Sequence, residues 1–195
     1  MAGNGGALGR GTFAAVDVHY LGGAGARAAL VTASDARFTE LAGTATILVA
    51  EAEQYRPGEF YLRELPAIRA VCRDAGPFAL IVVGGYVDLD PAGRPGLGAH
   101  VHDEFGVPVI GVAKTTFRTA THAAQIRRGQ SARPLFVTAA GMTIADAASL
   151  IENMAGPFRI PDALRTADRL ARRLDLPGRP SSWSQSQAAS GGRSS

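Results

Sequence analysis

The chain has 195 residues, 46% of them hydrophobic and 19% charged, which is enough for one folded domain with a core of its own. A formal net charge of +3 permits a polyanionic partner without demanding one. The single Cys72 excludes an internal disulfide and a cysteine-rich zinc site; with no membrane-length apolar run and no secretory leader, a cytoplasmic protein is expected.

Residues 1–10 are rich in Gly and Ala and read as a flexible N-terminus. Thr12–Leu21 reads as a strand with one odd member, Asp17, a carboxylate inside an apolar run that is costly to bury unless paired or bound. Gly22–Gly25 is a turn, Ala26–Ala33 a return strand and Thr44–Glu53 a third strand, together an antiparallel meander. Arg56-Pro57-Gly58 is a turn signal, and Phe60–Arg73 reads as a helix, with Pro66 pointing to a start near Leu65. Glu64 lies near its first turn, where an acid suits the helix dipole.

Phe78–Lys114 is the centre of the chain. Ala79–Val83 and Val107–Val112 are unbroken, β-branched apolar runs of the kind covered on both faces of an α/β sheet. The segment between them is long enough for a loop and a crossover helix, which makes the strands parallel. Ligands gather beyond the carboxyl ends of such strands, so Gly84–Asp90 and Lys114 fall at one rim. Lys114 is the one lysine among 20 basic residues; where arginine is the habit, a retained lysine suggests a compact ammonium. Thr115–Arg133 reads as an exposed basic loop and Pro134–Ala139 as another strand. Thr143 is an expected N-cap, with Asp146 at the capping-box position, for a helix ending near Met154. Pro161–Leu174 is a further, arginine-rich helix with a solvated face, and residues 177–195 form a low-complexity tail expected to be disordered. Residues 11–176 thus make one domain.

Asp17, Glu64, Asp88 and Asp90 all lie near strand ends or helix starts. Two or three carboxylates meeting at one rim make an oxygen site for magnesium or manganese, beside which Lys114 would offset charge building on a phosphate. Each acid also has a plainer reading, as a hydrogen-bonded strand acid or a helix N-terminal acid. His19 shares the face of Asp17, and His100 reads as a cap of the following helix.

Several motifs, in order, resemble the endonuclease V family of deoxyinosine-specific nucleases: VDVHY (Val16–Tyr20), YRPG (Tyr55–Gly58), YLRELPAI (Tyr61–Ile68), RPGLGAH (Arg94–His100), VPVIGVAK (Val107–Lys114) and ARPLFVTAAGMTIADA (Ala132–Ala147). The resemblance spans roughly Phe13 to Arg172. It implies a ribonuclease H-like α/β fold: a mixed sheet whose antiparallel three-strand meander is followed by parallel strands, with flanking helices. It also implies Mg2+, with Mn2+ as a substitute, and hydrolysis of the second phosphodiester 3′ to deoxyinosine in DNA, the base being flipped out and read in a pocket. Asp17 and Glu64 fall on the family's metal-binding positions, Lys114 on its active-site lysine, Tyr55, Pro57 and Gly58 on its strand-separating wedge, and Gly85 and Tyr86 near its lesion pocket. The expected partner is deoxyinosine-containing DNA, or inosine-containing RNA; no membrane is involved, and a monomer is expected.

Two departures stand out. The family's usual aspartate after the fourth strand is Gly84 here, in VVGGY, and a histidine expected near Gly141 is absent. Three readings follow: an active nuclease with Asp88, Asp90 or water in place of the lost ligand; a catalytically silent nucleic-acid-binding relative on the same scaffold; or an engineered silent form.

Overall fold

A computed structural model describes residues 11–21, 25–50 and 61–173. The expected wedge at Tyr55, Pro57 and Gly58, the N-terminus and the tail lie outside these residues. The described strands are β1 (Thr12–Tyr20), β2 (Ala26–Ala33), β3 (Leu41–Val49), β4 (Phe78–Gly84), β5 (Val109–Ala113), β6 (Ala124–Ile126) and β7 (Leu135–Ala140). The helices are α1 (Tyr61–Cys72), α2 (Leu97–Phe105), α3 (Ile144–Asn153) and α4 (Asp162–Arg172).

The strands form one sheet in the order β3-β2-β1-β4-β5-β7-β6. The first three are antiparallel, β4 runs parallel to β1 and β5 parallel to β4, and β7 returns antiparallel beside β5. This is the mixed, ribonuclease H-like sheet expected from the meander and the two central apolar runs. Those runs are unbroken because both faces are covered. Ala15, Val31, Leu80, Val82, Ile110 and Val137 pack against Ile151 of α3 and Ala163, Leu164 and Ala167 of α4. The alternate residues, Val16, Leu30, Ile81, Val83 and Val109, pack against Ala67 and Ile68 of α1 and Val101 of α2. Each such aliphatic side chain contributes roughly 1.5–3 kcal/mol when fully buried.

Several local expectations differ from the fold. Strand β3 begins at Leu41, three residues before Thr44. Helix α1 runs through Pro66 instead of starting beside it. A proline there forfeits the bond to the carbonyl one turn back, but α1 buries Ala67, Ile68, Val71 and Cys72 against the sheet, which outweighs that loss. His100 is not a cap; it lies within α2 and stacks on Tyr61, ring centroids 3.5 Å apart. The basic segment after Lys114 is only partly exposed. It contains β6, and Arg128 is buried, donating to the backbone carbonyls of Glu152, Met154, Gly156 and Phe158. Thr143 caps α3 as expected, its hydroxyl accepting from the Asp146 N–H at 3.1 Å.

Candidate active site

Parallel strands β4 and β5 end at one rim, where β1 parts from β4 after Val16 and runs on beside β2 to Tyr20. Val16 is level with Val83, and Gly84 with Val112. Asp17 follows Val16, Gly84 ends β4 and Lys114 follows β5, so the topology gathers all three. Glu64 comes from the first turn of α1 on one face of the sheet. These side chains line a cavity of about 500 Å³ together with Gly85, Tyr86, Leu97 and Thr115. A smaller cavity of about 180 Å³ adjoins it, lined by Tyr61, Glu64, Gly85, Tyr86, Leu89 and Leu97.

The loop that closes the rim is held by a close backbone approach. A Cβ on Gly111 would lie 2.8 Å from both the Gly85 carbonyl oxygen and the Val87 nitrogen, so only glycine lets the loop cross β5. Thr138 of β7 then anchors it, its hydroxyl accepting from the Val87 N–H at 2.8 Å.

The electrostatics are those of carboxylates crowded in a dry place. Burial, and then the negative charge of Asp17, push Glu64 up to about 8, although the Tyr20 hydroxyl and the Arg63 guanidinium oppose the shift. The Arg63 guanidinium lies 4.0 Å over the Tyr20 ring. Burial, and then the nearby Asp168, push Asp17 up to about 6; Lys114, Arg172 and the Val18 N–H pull it back.

Asp168 was not among the sequence candidates. It sits on α4, beside the apolar stripe Ala163, Leu164, Ala167 and Ala171 that holds this helix on the sheet. Its carboxylate meets Lys114 Nζ at 3.6 Å and Arg172 Nε at 2.9 Å. An acid flanking the buried stripe of an otherwise arginine-rich helix was the available signal, since such a position faces the sheet edge rather than open solvent.

The proposed substitutes for the missing ligand are elsewhere. Asp90 closes its own turn, accepting from the Ala92 and Arg94 N–H groups and pairing with Arg94, while Asp88 bridges to Pro95. Neither lines the cavities. The position near Gly141 is also unrelated to this rim. Strand β7 is antiparallel to β5, so its end lies by Val109, and a Cβ on Gly141 would meet His102 and Pro108. Gly84 itself is not required by its backbone, which is ordinary extended strand. A Cβ there would lie 3.3 Å from Asp17 Oδ1, so a carboxylate at this position would point into the same space.

Among the described residues, no three acidic, histidine or cysteine side chains converge closely enough to hold one metal ion together. Asp17 and Glu64 still fit magnesium, which keeps most of its waters and takes one or two carboxylates plus a substrate phosphate. Two inward-facing acids held above their ordinary range are groups that a cation would relieve.

A family model described as Endonuclease V matches residues 9–135. Curated relatives include the endonuclease V of Azotobacter vinelandii, 30% identical over 84% of this chain and 83% of its own length. That of Streptomyces avermitilis is 30% identical over 85% of this chain and 81% of its own. The crystal structure of the S. avermitilis protein superposes with a TM-score of 0.70 at 27% identity, covering 83% of this chain and 79% of that one. Ciona intestinalis endonuclease V, in complex with a 23-mer DNA containing an inosine followed by a ribo-adenosine, shares the fold at a TM-score of 0.66 and 17% identity, covering 83% of each chain. Among the described residues no helix is long and apolar enough to cross a membrane. Motif order, sheet topology and the match along most of its length agree: the chain belongs to the endonuclease V family of nucleases.

Proposed function

We propose that this chain is a metal-dependent endonuclease that recognises deoxyinosine in DNA and hydrolyses the second phosphodiester on its 3′ side. The observation that carries this reading is the meeting of half-buried Asp17 and buried Glu64 with Lys114 at one rim, beside a cavity large enough for a displaced base. Magnesium, or manganese in its place, would be held by Asp17 and Glu64. When bound, it supplies Lewis-acid polarisation of the phosphate and a more acidic water.

The residues divide the remaining work. Tyr20 and Arg63, beside Glu64, favour its charged form. Lys114 presents an ammonium where negative charge grows as water adds to phosphorus and the P–O bond to the leaving sugar breaks. Asp168 pairs with that ammonium at 3.6 Å and so holds it in place. Gly85 and Tyr86 line the smaller cavity, where a flipped base would be received. Asp17 and Glu64, protonated in part near neutrality, would release their protons as the cation binds.

Gly84 favours a second reading. Without a carboxylate beside Asp17, the ion is held by two protein ligands, and the chain would bind inosine-containing nucleic acid with little or no cleavage. Cleavage of a 5′-labelled duplex with one deoxyinosine, in Mg2+ and then Mn2+, separates the two when the chain and Gly84→Asp are run side by side. Cutting by the chain itself, one nucleotide beyond the lesion, supports the enzyme with two carboxylates. Cutting by Gly84→Asp alone supports the silent binder. Cutting by neither removes the deoxyinosine reading.

A further inference from the structure

The loop after Lys114 carries an aromatic side chain that the chemistry above does not use. Phe117 is 41% exposed, although Tyr86, Ala113, Ala120 and Phe136 form a small apolar cluster directly beneath it. Its ring stays outside that cluster while its backbone is held. The Phe117 N–H donates to the Tyr86 hydroxyl at 3.0 Å, and that hydroxyl donates to the Thr115 carbonyl at 2.8 Å. The two rings are tilted, with centroids 6.0 Å apart. The Arg94 guanidinium lies 5.9 Å from the Phe117 centroid on the other loop, and exposed Arg118 follows in the chain. Thr119 ties this loop to the first one through the Leu89 carbonyl.

Tyr86 is the link to the site, because it lines both cavities while fixing Phe117. A phenylalanine pinned through its backbone and left 41% exposed gains less in folding than a core ring, and it is preorganised to meet a flat partner. The flanking arginines suit phosphates, and every nucleobase offers a π-face. We propose that Phe117 is a stacking platform for an unpaired base of the substrate strand adjacent to the displaced nucleotide, accepted whatever its identity, with Arg94 and Arg118 on the neighbouring phosphates. This rests on the site being one that handles nucleic acid.

Deoxyinosine duplexes carrying 2-aminopurine at each position flanking the lesion report stacking directly, in Ca2+ to hold cleavage back. With the full chain, quenching is expected at one flanking position on binding. Phe117→Ala and Phe117→Leu should lose that quench and bind roughly 5- to 100-fold more weakly, whereas Phe117→Tyr should keep both properties. Melting temperatures should fall less than for a core aromatic, because 41% of the residue is already exposed. Binding and quenching by Phe117→Ala equal to those of the unaltered chain would overturn the proposal while leaving the nuclease reading intact. No binding of any inosine duplex by the unaltered chain would remove the nucleic-acid reading and the platform with it.

Discussion

Asp17 and Glu64 are the residues on which the site turns, and their protonation links the site to folding. Both are held above their unfolded values of 3.8 and 4.5, at about 6 and about 8. A carboxyl raised in this way favours the folded state fully below its unfolded pKa and loses that contribution as pH rises through the folded value. The metal-free chain is therefore expected to lose thermal stability steadily between about pH 4 and pH 8, and Glu64→Gln should flatten the upper part of that fall. Thermal melts across this range, with chelator present, measure it. Asp168 raises Asp17 through its charge, so Asp168→Asn should lower the Asp17 pKa, read from carboxyl-carbon NMR titration. Gly84→Asp adds a carboxylate that starts 3.3 Å from Asp17 Oδ1. In chelator it should melt below the unaltered chain, and millimolar Mn2+ should raise its melting point by more than that of the unaltered chain.

At the scale of elements, the rim depends on how closely loops and helices approach the sheet. Gly111→Ala would drive a methyl group into the backbone of Gly85 and Val87, with no flexible side chain to give way. It should destabilise by about 1–3 kcal/mol, and its loss of activity should exceed what that destabilisation explains, because Gly85 and Tyr86 line both cavities. Denaturant unfolding beside the cleavage assay separates the two effects. Helix α3 lies away from the rim and offers the contrast. Thr143→Ala removes its N-cap and should cost about 1 kcal/mol with activity retained in proportion to folded protein.

For the molecule as a whole, the alternation of sheet faces explains why the site is composite. Residues of β1 with even numbers face α1, and those with odd numbers face α4. Tyr20 therefore lies near Glu64 on one side, while Asp17 lies near Asp168 on the other; the two layers meet where β4 and β5 stop. Much of this was legible in the chain. The apolar runs at Ala79–Val83 and Val107–Val112 and the N-cap at Thr143 report local physics: burial on two faces and an otherwise unpaired N–H. Lys114 stood out because it alone departs from arginine. Asp168 was not legible, because its role depends on α4 crossing β1 some 150 residues after Asp17. Asp88 and Asp90, open alternatives to water at the lost ligand, stand apart from the cavities for a related reason: nearness in sequence to Gly84 says nothing about which way a turn points, and Asp90 accepts from the Ala92 and Arg94 N–H groups of its own turn. Sequence alone determined the family, the parallel centre of the sheet and the rim to which Asp17, Glu64 and Lys114 belong, since periodicity and motif order are properties of neighbouring residues. Tertiary structure decided that Asp168 completes the charge pattern, that a side chain at Gly84 would press on Asp17, and that Phe117 is partly exposed beside Tyr86 of the cavity wall, since each depends on distances between segments the chain keeps far apart.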